Sequence, residues 1–540
     1  MVTPPGIRDS GPDAYREPRT LTAPSAPTLV DGAVLERDTA VRADACVIGS
    51  GAGGAVVAKE LAEGGMSVVL LEDGPWVGTE EFSPEVTTAI PQLYRDAGQT
   101  VALGRPAIVV PLGRAVGGTT ILNSGTCLRP PDAVLAGWAE APGLEGLGAD
   151  GLDPCFRRVE RELNVSEVPE DLAGRNAAIV REGAEALGWS GGYLHRNSRG
   201  CVGTGLCPYG CPSGGKQHAG ITYVPKAWSA GARLFTRTRA VRVEIARGGQ
   251  VTGVRARSAG GARVRVTAPI VVVACGAFST PALLRRSGIR AQALGRHLTL
   301  HPATTMRAAF DDPVGMWDGV PQSYYVDEFA DEGVILEGIA GPPAYLAALL
   351  EAWGPAHRVA MDAAERTAQF GVLVTDRPSG RVRSVAGHPL ATYVLGDREL
   401  EAFRRGLRAL AEIYRAAGAR SVTLPVAGAE PIALSSRRAV AAAIGRVDRR
   451  TLRTLAFHPL GTARAGSDPD GSVVDGRLAV HAVAGLRVAD GSVLPSSPGV
   501  NPMITIMALA TRLAFELLGQ DPPQGEPEPA SRPTVGRRGT

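Results

Sequence analysis

One stretch near the amino terminus restricts the fold of this chain more than any other. The segment "ADACVIGSG" reads as an apolar strand that enters a glycine-rich turn, "AVVAKELAEGG" as a helix that ends in glycine, and "SVVLLEDG" as a second strand. Gly49, Gly51 and Gly54 have the spacing G-x-G-x-x-G at the junction of the first strand and the helix. This order of elements predicts a βαβ unit of the Rossmann type.

The glycines and one acidic residue give this unit the chemistry of a dinucleotide site. Gly49 permits the tight turn, Gly51 lets the backbone approach a pyrophosphate, and Gly54 allows the helix to pack closely on the strand. Glu72, at the end of the second strand, is expected to accept hydrogen bonds from the adenosine ribose hydroxyls. The helix amino terminus supplies positive potential for the phosphates. The unit alone does not separate NAD from FAD.

Charge and composition exclude other classes of protein. A net charge of +3 over 540 residues creates no field for a polyanion, so we expect no nucleic-acid partner. The seven cysteines are odd in number, which favours a reducing compartment over a disulfide scaffold. The first 40 residues contain no apolar signal-peptide core, and Arg512 and Glu516 interrupt the most apolar late stretch. We therefore expect a cytoplasmic protein without membrane insertion.

The rest of the chain contains elements of two kinds. "VRVEIARGGQVTGVRAR" predicts a strand pair around a Gly-Gly turn, and "APIVVVACGA" predicts a buried strand. "ELEAFRRGLRALAEIYRAAGA" predicts a helix, and "GLRVADGS" predicts a short strand before a helix that starts near Pro502. Elements of nucleotide-binding structure thus lie at both ends, whereas residues 311–445 have a different, aromatic-containing character. This pattern indicates a discontinuous cofactor domain interrupted by a substrate-facing domain.

Three further stretches resemble one enzyme family. They are "GRAVGGTTILNSGTCLRPP" (113–131), "FSTPALLRRSGI" (278–289), and "HPLGTARAG" with "GLRVADGSVLPSSPGVNPMITIMALATR" (within 458–512). With the βαβ unit, they resemble the glucose–methanol–choline (GMC) flavoprotein oxidoreductases. "CPYGCPSGGKQ" and "GARSVTLP" resemble the branch that includes long-chain alcohol oxidases. The resemblance implies FAD, a two-domain fold, and oxidation of an alcohol by hydride transfer to flavin N5.

The fold class implied is α/β, with a Rossmann-like FAD-binding domain and an α+β substrate-binding domain built on an antiparallel sheet. The predicted segments are an N-terminal arm (1–40), a discontinuous FAD-binding domain (41–150, 200–310 and 450–520), a substrate-binding domain (151–199 and 311–449) and a disordered tail (521–540).

The resemblance also assigns roles to single positions. The family's catalytic histidine falls on His458, and its second catalytic position falls on Asn501. Leu122 stands where some members attach flavin covalently through a histidine, so we expect FAD to bind non-covalently. His301, in "GRHLTLHP", is interpreted as structural near the cofactor. The other expected cofactor contacts are Arg114, Gly117, Gly118, Thr119, Asn123, Ala240, Asp490, Gly491, Pro502 and Met503.

The two catalytic positions suit alcohol oxidation on chemical grounds. The hydroxyl proton must leave as a hydride departs from the carbon that carries the hydroxyl. Histidine suits the role of the base because its ordinary pKa lies near neutral pH. Asn501 can donate a hydrogen bond to the developing alkoxide. Asn501 and Pro502 also read as the N-cap and first residue of the last helix.

Several functions remain open at this stage. The leading prediction is an alcohol oxidase that passes electrons to O2 and forms H2O2. The alternatives are a dehydrogenase of the same family with another electron acceptor, and a flavin-binding relative with lyase-type activity. The alternating apolar strands and modest charge of residues 311–445 favour an apolar or alicyclic alcohol as the substrate.

The loop "CVGTGLCPYGCPSGGKQ" (201–217) contains three of the four cysteines of a ferredoxin run, at Cys201, Cys207 and Cys211. Thr204 occupies the missing position. Three thiolates can ligate an iron–sulfur cluster, and zinc would need a fourth ligand such as His218 or Cys155. Because its glycines and prolines suit a tight turn, a structural loop without a metal is preferred.

Overall fold

The computed structural model describes residues 28–350 and 352–522. The strands are β1 (Thr28–Asp31), β2 (Thr39–Arg42), β3 (Ala45–Ile48), β4 (Val68–Leu71), β5 (Val101–Arg105), β6 (Ile108–Val109), β7 (Val165–Glu167), β8 (Gly191–Tyr193), β9 (His195–Asn197), β10 (Arg233–Thr236), β11 (Thr238–Ile245), β12 (Val251–Ser258), β13 (Arg263–Thr267), β14 (Ile270–Val273), β15 (Pro302–Ala309), β16 (Tyr324–Val326), β17 (Val334–Gly338), β18 (Thr367–Val374), β19 (Arg381–Val385), β20 (His388–Val394), β21 (Ser421–Thr423), β22 (Ile432–Ala433), β23 (Leu455–Ala456) and β24 (Leu486–Val488). The helices are α1 (Ala52–Glu63), α2 (Val86–Leu93), α3 (Asp132–Ala139), α4 (Ala149–Glu162), α5 (Glu170–Ala186), α6 (Tyr223–Ser229), α7 (Gly276–Arg286), α8 (Pro343–Leu349), α9 (Pro355–Asp362), α10 (Asp397–Ala416), α11 (Arg437–Gly445) and α12 (Met503–Leu518).

A six-stranded sheet in the order β1-β10-β4-β3-β14-β24 forms the first layer, and every pair in it is parallel. Each residue of β3, β4 and β14 is buried, as expected for a parallel sheet that is covered on both faces. Helix α1 follows β3 and packs against α12 and α6. The predicted βαβ unit is therefore confirmed.

A twelve-stranded sheet forms the second layer, and most of its strand pairs are antiparallel. Along β17 and β18 alternate side chains point to opposite faces. Leu336 and Val372 are buried in the core beneath α10, whereas Glu337 and Leu373 line a cavity on the other face. The second sheet thus forms one wall of the cavity, and the predicted fold class is confirmed.

The other elements predicted from the sequence also form. The Gly-Gly turn joins β11 to β12, and the apolar segment before Cys275 is the buried strand β14. Helix α10 has the predicted amphipathic pattern, with Phe403 and Leu407 buried on one side. β24 and α12 lie where the late strand and helix are expected.

Some contacts between elements cross the boundaries of the predicted segments, and the segments stay a prediction. β1 lies within the predicted arm, and β2 begins in it and ends beyond residue 40; the two strands pair in parallel with β10 and β13, respectively. Helix α4, predicted in the substrate-binding domain, places Phe156 and Val159 in the core of the first layer because its apolar face meets α12. β5, β6 and β23 belong to the second sheet. Residues 1–27 of the predicted arm and 523–540 of the predicted tail lie outside the described residues.

One of the sequence expectations concerned membrane insertion. Within residues 28–350 and 352–522, no helix is both long enough and apolar enough to cross a membrane.

Candidate active site

One cavity of about 590 Å³ lies between the two sheets. At one end it is lined by the glycine-rich turn after β3 and by Glu72. At the other end it is lined by His458, Asn501 and the face of the second sheet that points away from α10. The predicted dinucleotide site and the predicted catalytic pair therefore share a single cavity.

Backbone glycines shape the dinucleotide end of the cavity. A Cβ atom at Gly51 would have Gly118 Cα, at 3.9 Å, as its nearest neighbour, so the space beside Gly51 is open. Gly49 has a φ of +99°, and a Cβ there would lie 2.3 Å from the carbonyl oxygen of Ala274. The first turn of α1 faces this space, and the amide N–H groups of a first turn have no partner within the helix. The shape and donors match a pyrophosphate.

Glu72 is held rigidly at this end. Its Oε2 accepts hydrogen bonds from the Ser50 amide (3.0 Å) and the Ser50 hydroxyl (2.7 Å), and its Oε1 accepts one from the Gly74 amide (2.8 Å). Burial raises the pKa of Glu72, and these hydrogen bonds oppose the shift. Each carboxylate oxygen can accept more than one hydrogen bond, so the group retains capacity for ribose hydroxyls.

Asp490, which also lines the cavity, ties two segments together. Its Oδ2 accepts hydrogen bonds from the Gly276 amide (2.9 Å) and the Thr280 hydroxyl (2.5 Å), and its Oδ1 accepts one from the Ser492 amide (2.8 Å). Burial raises its pKa. Asp490 therefore connects α7 to the turn that precedes α12.

His458 contacts a second histidine that does not line the cavity. The Nδ1 atoms of His458 and His301 lie 3.2 Å apart, and the ring centroids are separated by 5.3 Å. Burial lowers the pKa of His458 to about 4, so its imidazole is neutral at neutral pH. His458 itself lines the cavity.

The structure corrects the prediction for Asn501. Helix α12 begins at Met503, its N-cap is Pro502, and no side chain caps it. The Asn501 amide instead donates a hydrogen bond from Nδ2 to Oε2 of Glu337, over 3.3 Å. The Asn501 side chain, which the local sequence predicts to cap α12, is therefore bound by Glu337 of the second sheet instead.

Most of the predicted site residues line the cavity. They are Gly49, Gly51, Glu72, Gly118, Thr119, Asn123, Ala240, His458, Asp490, Gly491, Asn501, Pro502 and Met503, and Leu122 lines it as well.

Three predicted cofactor contacts lie elsewhere. Gly54 packs against the turn, where a Cβ would come within 1.9 Å of the Gly49 carbonyl oxygen. Gly117 has a φ of +103° and donates its amide hydrogen to the Ser50 hydroxyl (3.0 Å). The Arg114 side chain is 48% exposed, and its Nε lies 3.6 Å from Oδ2 of Asp73.

One polar group at the His458 end of the cavity is absent from the predicted site residues. Glu337 is 3% exposed, and no hydrogen-bond partner of its Oε1 lies among the described residues. Burial raises the pKa of Glu337 to about 7. Nearby, the Thr126 hydroxyl donates to Oε1 of Gln322 over 2.8 Å. The only signal was a glutamate in the apolar strand "VILEG".

The cysteine-rich loop surrounds a buried lysine. The Lys216 ammonium donates hydrogen bonds to the carbonyl oxygens of Ile121, Asn123 (2.8 Å) and Cys207 (2.7 Å). Its backbone amide donates to Sγ of Cys211 over 3.2 Å. Burial lowers the pKa of Lys216 to about 8, which leaves it protonated at neutral pH. The loop therefore fastens the segment that contains Leu122 and Asn123.

The candidate metal ligands of this loop are not grouped. Within the described part of the chain, no set of three or more His, Cys, Asp or Glu side chains is placed to hold a metal ion. Cys155 lies in the core beneath α12, and Nδ1 of His218 accepts a hydrogen bond from the Gly220 amide (3.2 Å). The hydrogen bonds around Lys216 support the preferred structural interpretation.

Comparison with known proteins gives a consistent result. Two family models, both described as GMC oxidoreductase, match residues 90–303 and 376–510. An uncharacterized GMC-type oxidoreductase of Mycobacterium tuberculosis is 43% identical over 482 residues, which are 89% of this chain and 76% of that relative. A long-chain-alcohol oxidase of Arabidopsis thaliana is 29% identical over 511 residues, 88% of this chain and 67% of that relative. Among solved structures, pyridoxine 4-oxidase from Mesorbium loti has a TM-score of 0.69 at 20% identity, over 88% of this chain and 98% of that chain.

Proposed function

This chain belongs to the GMC oxidoreductase family, FAD-dependent oxidoreductases that act on CH–OH groups, and on that basis we propose that it oxidises an alcohol to an aldehyde or ketone with His458 as the general base. Bound FAD supplies the hydride acceptor. The electrons then pass to O2, which is reduced to H2O2. The carrying observation is the single cavity that joins the glycine-rich turn to His458 and Asn501.

The residues along the cavity suit FAD. Gly51 and the first turn of α1 would hold the pyrophosphate, and Glu72 would hold the adenosine ribose. Asn123, Asp490 and Met503 would line the flavin end. Leu122 offers no nucleophilic atom for a covalent link, which supports non-covalent binding.

The proposed cofactor site predicts different effects for two glycine substitutions. Gly51 has a φ of −72° and open space at its Cβ position, so we expect Gly51→Ala to fold normally but to block the approach of the pyrophosphate. FAD retained after gel filtration should fall at least about tenfold, because the loss of a few hydrogen bonds to phosphate costs about 1.5–3 kcal/mol each. Absorbance of the flavin relative to protein measures this.

Gly137→Ala is the matched control. Gly137 lies in α3, and a Cβ there would meet nothing within 4 Å. Alanine favours a helix, so this variant should retain its FAD and its stability. Full FAD content in Gly51→Ala would show that the pyrophosphate lies elsewhere.

His458 and Asn501 act on the same hydroxyl group of the alcohol, His458 on its proton and Asn501 on its oxygen. The neutral His458 imidazole takes the hydroxyl proton on Nε2, since its Nδ1 faces His301. Asn501 donates one Nδ2 hydrogen to Glu337 and has a second for the alcohol oxygen, where negative charge develops. Apolar side chains such as Ile339, Leu373 and Phe457 line the same end. They favour an apolar alcohol, in keeping with the named substrate class of the plant relative.

Burial of His458 leads to a prediction about pH. The imidazole of His458 must be neutral to act as a base, and burial lowers its pKa to about 4. The rate constant of flavin reduction at saturating alcohol should therefore be nearly constant across neutral pH. It should fall about tenfold per pH unit well below pH 4, where the imidazolium predominates. Anaerobic stopped-flow measurements in a series of buffers test this. A midpoint near pH 6.5 would contradict a fully buried base.

The function itself is tested by an anaerobic screen. Primary, secondary, sugar and sterol alcohols are mixed with the FAD-loaded protein, and bleaching of the flavin absorbance is followed. Bleaching by an apolar alcohol, followed by H2O2 formation when air is admitted, is the expected result. Reoxidation only by an added quinone or dye would favour a dehydrogenase. Failure of all alcohols to bleach the flavin would favour a non-redox relative.

A further inference from the structure

His301 is buried directly behind the proposed base. It is 1% exposed, it does not line the cavity, and its Nδ1 lies 3.2 Å from Nδ1 of His458. A hydrogen bond between two Nδ1 atoms requires one donor and one acceptor. The direction of this hydrogen bond therefore decides what the opposite nitrogen of each ring can do.

A neutral imidazole carries a single N–H group. If Nδ1 of His458 accepts the hydrogen bond, Nε2 carries the hydrogen and cannot take another proton from an alcohol. If Nδ1 of His458 donates, Nε2 keeps a free lone pair. Only the second arrangement gives a base that faces the cavity, and it requires Nδ1 of His301 to be the acceptor.

We propose that His301 is a positioning residue that holds His458 in the tautomer with a free Nε2, an inference that rests on the proposed function. As the O–H bond of the alcohol breaks, a new N–H bond forms at Nε2 of His458. The Nδ1 proton of His458 is then shared with Nδ1 of His301, so the positive charge is spread over both rings. No other reactant takes part in this proton movement.

The backbone around His301 is built to hold this geometry. His301 has a φ of +47°, in the left-handed region that residues other than glycine seldom adopt. The buried Asp376 carboxylate accepts hydrogen bonds from the amides of Leu300 (2.9 Å) and His301 (3.0 Å). The Tyr393 hydroxyl donates to the same carboxylate over 2.8 Å. The strained residue is thus fixed by a neighbouring strand and loop.

Asp376, after β18, accepts a hydrogen bond from the backbone amide of His301, and Tyr393, on β20, contacts Asp376. Burial raises the pKa of Asp376 to about 6, and burial with the nearby His458 lowers that of His301. At neutral pH the aspartate is therefore ionised while both imidazoles are neutral. This is the charge state in which His301 can act as an acceptor.

Nitrogen NMR of histidine-labelled, FAD-loaded protein tests the tautomer directly. The chain has eight histidines, and a spectrum of His458→Ala assigns the His458 signals. In the unaltered protein His458 should carry its hydrogen on Nδ1. In His301→Ala it should shift to Nε2, because the partner that fixes the tautomer has gone. An Nε2–H tautomer in the unaltered protein would overturn the proposal.

Kinetics with two variants gives the second readout. His301→Ala should lower the rate constant of flavin reduction about 10–100-fold, the range found when the partner that orients a functional histidine is removed. His301→Asn should recover most of this loss, since its side-chain oxygen can accept from Nδ1 and asparagine tolerates a positive φ. Equal rates in His301→Ala and the unaltered protein would contradict the proposal.

The positioning role of His301 and the proposed alcohol oxidation are contradicted by different results. If His458→Ala abolishes flavin reduction but His301→Ala does not slow it, only the positioning role of His301 is wrong. If alcohols do not bleach the flavin of the unaltered protein, the proposed function is wrong, and the NMR result still reports the tautomer.

Discussion

Replacing His458 by alanine is expected to lower the rate constant of alcohol-dependent flavin reduction by about 10²–10⁴-fold, the usual contribution of a general base. The reason is that His458 is the neutral imidazole that lines this end of the cavity, whereas the Glu337 carboxylate there already accepts a hydrogen bond from Asn501. FAD should remain bound, because the proposed cofactor contacts lie on Gly51, Glu72 and Asp490. Anaerobic stopped-flow absorbance measures the rate, and the ratio of flavin to protein measures retention.

His481→Ala is the matched control for this experiment. Nε2 of His481 is hydrogen bonded to the Ser472 hydroxyl at 2.9 Å, and His481 does not line the cavity. Its loss should leave the rate within about twofold, since it touches no reacting group. An undiminished rate in His458→Ala would show that another group removes the proton.

Replacing Lys216 by methionine is expected to destabilise the protein by about 3–5 kcal/mol. Lys216 is buried, and its ammonium serves three carbonyl oxygens, those of Ile121, Asn123 and Cys207. Methionine has a similar length but no donor, so these carbonyls would lose their shared partner. The melting temperature should fall by about 3–5 °C for a chain of this size, and FAD should be lost more readily.

Lys226→Met tests whether any lysine would have this effect. The Lys226 side chain is 49% exposed and pairs with Glu162 at the surface, an interaction that contributes about 0–1 kcal/mol. The melting temperature of the Lys226→Met variant should differ from that of the unaltered protein by less than about 1 °C. If both variants melted alike, the buried ammonium would not be what fastens the cysteine-rich loop to the segment of Leu122 and Asn123.

Local pattern was sufficient for the elements of the first layer. Gly49 acts through its positive φ, and Gly54 acts through its contact with the Gly49 carbonyl oxygen, so the turn could be predicted from residues within one short stretch. The period of apolar residues likewise predicted α10 and the strand pair β11–β12. In each case the physical cause lies within the segment or in its nearest neighbour along the chain.

The surroundings of the proposed catalytic positions could not be predicted in this way. Asn501 before a proline has the local pattern of an N-cap, yet a glutamate 164 positions earlier in the chain takes its amide hydrogen. His301 and His458 are 157 positions apart and meet only because β15, which follows His301, pairs with β23, which precedes His458. Such partners depend on how the second sheet lies against the first layer.

The amino-acid sequence by itself predicted the βαβ unit, the dinucleotide chemistry of its turn and the family resemblance, and it proposed the candidate positions His458 and Asn501. Tertiary structure alone decided that these residues share one cavity, that Glu337 holds Asn501, and that His301 stands behind His458. The difference has a physical reason: backbone conformation and amphipathic period are local properties. Hydrogen-bond partners, burial and the pKa values that follow from them depend on contacts between distant segments.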